Sequence, residues 1–107
     1  MGDSDKRLYG PALLTNAAAD TYVTPASTQA KLKHFHFFNE DAVSRTITVS
    51  IGVDAAGTRL FMSFPIASKS PYDWYPYAIL QAAEKIQAYA DAASQVTMTI
   101  FGTEKAL

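Results

Sequence analysis

Residues 45–53, Arg45-Thr46-Ile47-Thr48-Val49-Ser50-Ile51-Gly52-Val53, alternate apolar and polar side chains without a break. Successive side chains on a strand point to opposite faces, so Ile47, Val49, Ile51 and Val53 fall on one side and Thr46, Thr48 and Ser50 on the other. A helix would scatter those four apolar residues around its circumference. The stretch before it, Lys31-Leu32-Lys33-His34-Phe35-His36-Phe37-Phe38, is rich in aromatics, which suit a pleated, half-buried surface. Between the two lies Asn39-Glu40-Asp41-Ala42-Val43-Ser44, polar and turn-like. Residues 29–53 therefore predict two strands folded back on each other. In the first of them Leu32 is out of phase with Phe35 and Phe37. A bulge near Lys33-His34 would bring all three onto one buried face; otherwise Phe38 also packs, against a loop or a neighbouring subunit.

On the N-terminal side, residues 1–7 are polar and are expected to form a flexible segment ahead of a single domain over 8–107. Leu8-Tyr9-Gly10-Pro11-Ala12-Leu13-Leu14 is an apolar run interrupted by Gly-Pro, a turn or a kinked edge strand. Small residues follow to Asp20, and Thr21 to Ala26 reads as a short extended piece, with Pro25 holding Thr24 out of the helical region. On the C-terminal side, the turn Asp54-Ala55-Ala56-Gly57 leads into Thr58–Ile66. There Leu60, Met62 and Phe64 alternate with Arg59, Phe61 and Ser63, and Pro65 ends the strand. Residues 95–102 alternate again, with Val96, Met98 and Ile100 inward, and 103–107 read as a polar tail. Residues 78–93 are ambiguous. Their propensities and the spacing of Ile79, Ala82, Ala83, Ile86 and Ala90 suit a helix of about fifteen residues.

The chain has 107 residues, 49% hydrophobic and 18% charged, which is the composition of one ordinary globular domain. Nine Lys and Arg against ten Asp and Glu give a net charge of -1, arguing against a nucleic-acid partner, which needs a basic patch. Lys31, Lys33 and Arg45 are too few to make one. The N-terminus has no apolar run behind its charges, so no signal peptide is expected, and no window reaches the about 20 apolar residues of a membrane span. Cysteine is absent, which removes disulfides and thiolate metal sites.

Candidate chemistry is sparse. His34 and His36 form a His-x-His pair on one face of a strand. Two imidazoles can begin a metal site, but zinc takes a third protein ligand even in open catalytic sites, and no residue nearby in sequence has ligand spacing. No Gly-x-Ser-x-Gly elbow is present, and nothing selects a carboxylate pair among Asp54, Asp73, Glu84 and Asp91. No cofactor, metal or enzymatic activity is expected. Tyr72, Trp74, Tyr75 and Tyr77 crowd into six positions. Exposed, they would make a protein contact or, beside Asp73, a carbohydrate platform; buried, they would cap a sandwich core or fill a subunit interface.

The order of these pieces resembles small virion structural proteins of tailed bacteriophages and prophages. The likeness is carried by Leu8 to Leu14, by Tyr22-Val23-Thr24-Pro25-Ala26-Ser27-Thr28, by a strand ending in Asn39, and by the threonine-rich strand Arg45 to Ile51. Leu80-Gln81-Ala82-Ala83-Glu84-Lys85-Ile86 and Val96-Thr97-Met98-Thr99-Ile100-Phe101-Gly102 complete it. It spans residues 8–102, with Ala83 standing where a turn glycine is expected. The resemblance implies two strands around Ala82-Ala83-Glu84 in place of a helix.

The expected fold is mainly β: an antiparallel, jelly-roll-like sandwich of seven or eight short strands. The resemblance implies a non-enzymatic virion component, a capsid decoration or tail protein that contacts copies of itself and other head or tail proteins. Closed symmetric assemblies are common, so a trimer or other ring is the expected form, with no membrane partner. The candidate contact residues are Leu8, Tyr9, Leu13 and Leu14 in an N-terminal arm and Tyr72, Trp74, Tyr75 and Tyr77 in the aromatic patch. The alternative is a carbohydrate-binding sandwich module that uses that patch.

Overall fold

Side chains repeating every second residue build nine strands among residues 5–107, which the computed structural model describes: β1 (Asp5–Leu13), β2 (Ala19–Val23), β3 (Thr28–Asn39), β4 (Arg45–Ile51), β5 (Arg59–Ile66), β6 (Pro71–Trp74), β7 (Ala78–Leu80), β8 (Lys85–Ala90) and β9 (Val96–Ala106). One sheet has the order β1-β9-β3-β6, with β7 also on β3, and the other has the order β2-β8-β4-β5. Every pairing is antiparallel. β6 pairs with Phe35 to Phe38 and β7 with Ala30 to Leu32, so the two occupy one strand position in two pieces. Eight positions in this order are those of a jelly roll: a long antiparallel hairpin with β4 and β5 at its tip, rolled so that β9 meets β3 and β8 meets β4.

The two sheets close on one core. Leu32, Phe35, Phe37, Val96, Met98 and Ile100 enter from the first sheet, and Tyr22, Ile47, Val49, Ile86, Ala88 and Ala90 from the second. The small Ala88 and Ala90 share the buried face of β8 with Ile86. The bulge expected near Lys33-His34 is present as a register shift between Leu32 and His34 on β9, and Leu32, Phe35 and Phe37 are all fully buried.

The hairpin expected between residues 29 and 53 does not form. β3 pairs with β6, β7 and β9, whereas β4 pairs with β5 and β8. Residues 40–44 carry the chain from one sheet to the other, so the two apolar rows approach the core from opposite sides. A polar turn permits either path, because it constrains direction and not the choice of sheet. Thr48 and Ser50, on the face opposite Ile47 and Val49, are also buried. Thr48 Oγ1 accepts from the Ser63 N–H at 3.0 Å, and Ser50 Oγ donates to Asp54 at 2.7 Å.

Residues 78–90 are strand, turn, strand. Gln81 to Glu84 form a β-turn closed by a Glu84 N–H to Gln81 carbonyl bond of 3.0 Å, with Ala83 at φ 69°. Ala83 thus adopts the left-handed conformation that its position would ordinarily give to glycine. Burial of Leu80, Ile86, Ala88 and Ala90 outweighs the helical propensity of the segment. Two further expectations change. β5 continues through Pro65 to Ile66, and β9 continues to Ala106 in place of a polar tail. Asp5, Lys6 and Arg7 belong to β1 and so are part of the sheet; the first four residues of the segment expected to be flexible lie outside the described residues.

A polar contact between β2 and β9 helps tie the sheets together. The Tyr22 hydroxyl of β2 donates to Glu104 of β9, whose other oxygen accepts from Lys6 at 2.6 Å. Lys6 and then Tyr22 hold the Glu104 carboxyl below its ordinary value of 4.5. The folded chain therefore binds that proton less readily than the unfolded chain. The resulting stabilisation is complete above the ordinary value and is lost as pH falls through the lowered one. Tyr22→Phe is expected to cost about 1.5–3 kcal/mol at neutral pH, the range for a bond to a charged group. Denaturant melts in acid should show that penalty shrinking as Glu104 protonates.

Candidate functional site

The bulge sets the phase of β3 so that Phe35 and Phe37 point inward and His34 and His36 point out of the same sheet. β6 lies alongside, and its register places Asp73 directly opposite His36. Asp73 Oδ1 lies 2.6 Å from His36 Nδ1 and 2.8 Å from His34 Nε2. One atom from each of the three residues lies within 4.8 Å of the others. The hydrogen bond from His36, and next that from His34, hold the Asp73 carboxyl below the usual carboxylate range. The His34 ring is clamped, stacked on Tyr75 at 4.5 Å and on Phe101 at 5.3 Å between centroids. Beside it lies a groove of about 440 Å³ lined by Lys6, Arg7, Lys33, Phe101 and Gly102.

Asp73 is the partner that the sequence reading of His34 and His36 lacked. It stands 37 residues beyond His36, and only the pairing of β3 with β6 joins them. Two imidazoles and a carboxylate can share protons, orient one another or ligate a cation. The two histidines are the only ones in the chain.

The aromatic patch divides. Tyr72 packs on Phe37 and Phe64, and Trp74 on Phe35 and Phe61 at 5.1 and 4.6 Å, so both rings extend the core. Tyr75 and Tyr77 stand out at 69% and 62% exposure. A glycan platform here would have these two tyrosines but not the tryptophan. The residues of the expected arm divide likewise. Leu8 and Tyr9 pack against the core from β1, Leu14 is buried, and Leu13 is exposed. β1 and β6 form opposite margins of their sheet, so the arm and the patch do not meet. Nor do the three cations form a face. Lys33 pairs with Asp5 at 3.0 Å, while Arg45 lies in the other sheet and pairs with Asp41 at 2.7 Å.

The second sheet adds apolar surface that the alternation hid. β5 meets β4 through two register shifts, which turn Phe61 and Phe64 toward the core and leave Leu60 and Met62 exposed. Exposed large apolar side chains within strands are Leu13 of β1, Val23 of β2, Leu60 and Met62 of β5, Ile79 of β7 and Phe101 of β9. All but Phe101 lie on strands at a sheet margin.

No protein-family model matches the chain, and no curated protein matches its sequence. Among solved structures it is similar to a chain from a study described as "Bacillus endospore appendages form a novel family of disulfide-linked pili". The two are 12% identical, with a TM-score of 0.59 over 98% of this chain and 88% of that one. At that identity the likeness establishes a shared fold. A chain of the infectious bursal disease virus Gt strain matches at 6% identity and a TM-score of 0.41, over 96% of this chain and 28% of that one.

Proposed function

We propose that this protein is a non-enzymatic building block of a virion, associating with copies of itself and with neighbouring head or tail proteins. The observation that carries the reading is the placement of Leu13, Val23, Leu60, Met62 and Ile79 at sheet margins, with Tyr75 and Tyr77 exposed between β6 and β7. Exposed strand edges ordinarily carry charge or are covered, since they invite pairing. Here β1, β2 and β5 are irregular in register and β6 is cut off from β7 at residues 75–77. No margin offers a long regular ladder, so contacts between copies run through side chains and not through strand addition.

Leu13 at one margin and Tyr75, Tyr77 and Ile79 at the other give the first sheet two different contact surfaces. Head-to-tail contact between unlike surfaces closes into a ring, such as a trimer, or continues as a filament. The fold shared with an appendage protein described as forming pili supports the self-associating part of this reading. Association here would not use disulfides, because the sequence has no cysteine. The virion part rests on the phage-protein resemblance of residues 8–102. Tyr75→Ser with Ile79→Ser is expected to raise the concentration needed for association by about tenfold or more, since exposed-to-buried aromatics dominate contacts. Light scattering reads it; association unchanged by that pair and by Leu60→Ser with Met62→Ser would refute the margin contacts.

A further inference from the structure

We propose that His34, His36 and Asp73 form a binding site for a divalent transition-metal cation of the zinc class, with three protein ligands and an outward position left open. The chemistry of the donors is suited to it: imidazole nitrogens and a carboxylate bind Zn²⁺, Co²⁺ and Ni²⁺, and three protein ligands plus one exchangeable position is a recurrent arrangement. The donor atoms are already gathered from two strands within 4.8 Å. With metal–ligand bonds of about 2.0–2.2 Å, a tetrahedral centre separates its ligand atoms by about 3.3–3.5 Å. Asp73 Oδ1 now lies 2.6 and 2.8 Å from the two nitrogens. A cation entering the cluster therefore needs the half-exposed carboxylate to move outward by about 0.5–0.9 Å and the two imidazole nitrogens, which lie within 4.8 Å of each other, to draw together by side-chain rotation.

Preorganisation is the second support. His36 and Asp73 are direct cross-strand partners, so their Cβ atoms are fixed by the sheet. The rings of Tyr75 and Phe101 hold His34 from both sides. Without metal, each ring donates an N–H to Asp73 Oδ1. With metal, His34 Nε2 and His36 Nδ1 present lone pairs to the cation, and the ring protons sit on His34 Nδ1 and His36 Nε2. The ring proton of each imidazole thus moves from the nitrogen facing Asp73 to the opposite one. The site lies beside the exposed Tyr75, but its occupancy does not depend on self-association.

The test titrates the purified full chain with Zn²⁺ and with Co²⁺. The proposal expects one cation per chain, a rise in melting temperature with Zn²⁺, and a visible d–d band with Co²⁺. Both imidazoles, the only two in the chain, should shift together in proton–nitrogen NMR spectra. Asp73→Asn and His36→Ala should each weaken binding by more than the about 10–100-fold typical of an outer-shell partner. All three side chains are on the surface, so loss of fold will not mask the result. Absence of binding at millimolar Zn²⁺ would overturn the proposal. So would binding that persists in the His34→Ala, His36→Ala double variant.

Discussion

Replacing Asn39 by aspartate is expected to cost about 3–5 kcal/mol of stability at neutral pH, much of the about 5–15 kcal/mol that holds a domain together. Asn39 ends β3 and is wholly buried. Its amide nitrogen donates to the carbonyls of Val43, Ile66 and Ala67 at 2.9, 3.0 and 3.2 Å, and its oxygen accepts from the Asp41 N–H at 2.9 Å. That one side chain ties the inter-sheet connection to the end of β5. A carboxylate of the same shape would keep the Asp41 N–H on one oxygen but aim the other, negative oxygen at three carbonyls, and a buried charge so poorly paired is among the most expensive changes available. Protonation relieves it, so the folded-state pKa of the new carboxyl lies above its unfolded value. The penalty is greatest above that raised pKa and shrinks as pH falls through it. Asn39→Ala lacks this recovery, and urea melts of the two variants at neutral and acid pH separate the effects.

Gly102→Ala is expected to cost about 3 kcal/mol or more, the upper range for overpacking. A Cβ on Gly102 would fall 2.0 Å from the Lys31 carbonyl oxygen, 3.0 Å from the Lys31 carbonyl carbon and 3.1 Å from Leu8 Cδ1. The nearest obstacle is backbone and cannot rotate away, so β3 and β9 must separate where Leu32 faces Gly102. Gly57→Ala is the control. Its Cβ would meet nothing within 4 Å, but its φ of 95° is unfavourable for alanine, so the cost should be only about 1–2 kcal/mol. Hydrogen exchange along β3 and β9 should accelerate in the first variant alone.

These two residues mark what could be read in the sequence. In the sequence Asn39 and Gly102 stand only as the ends of strand-like stretches; the contacts that make them necessary join residues far apart in the chain. Period-two alternation marks β4 and β9, and the phase conflict among Leu32, Phe35 and Phe37 marks the bulge; β8 lies in a segment whose own propensities suit a helix, and only the resemblance implies strands there. Such signals are local, because a strand shows its buried face in its own side chains. Sheet membership is not local. The turn after Asn39 reads alike whether the chain returns beside β3 or crosses to the opposite sheet. The two shifts in β5 had no marker either. Ser63 takes φ 52° without being glycine, and this phase change exposes Leu60 and Met62 while Phe61 turns inward. Asp73 was visible as one carboxylate among several. Only β3–β6 pairing makes it the neighbour of both histidines.

Sedimentation velocity on the full chain over a broad concentration range tests assembly most directly. The margin contacts predict species of several chains, heavier as concentration rises, in a ring or open series. A single species with the mass of one chain at every concentration would contradict the proposal that this sandwich is built to join others.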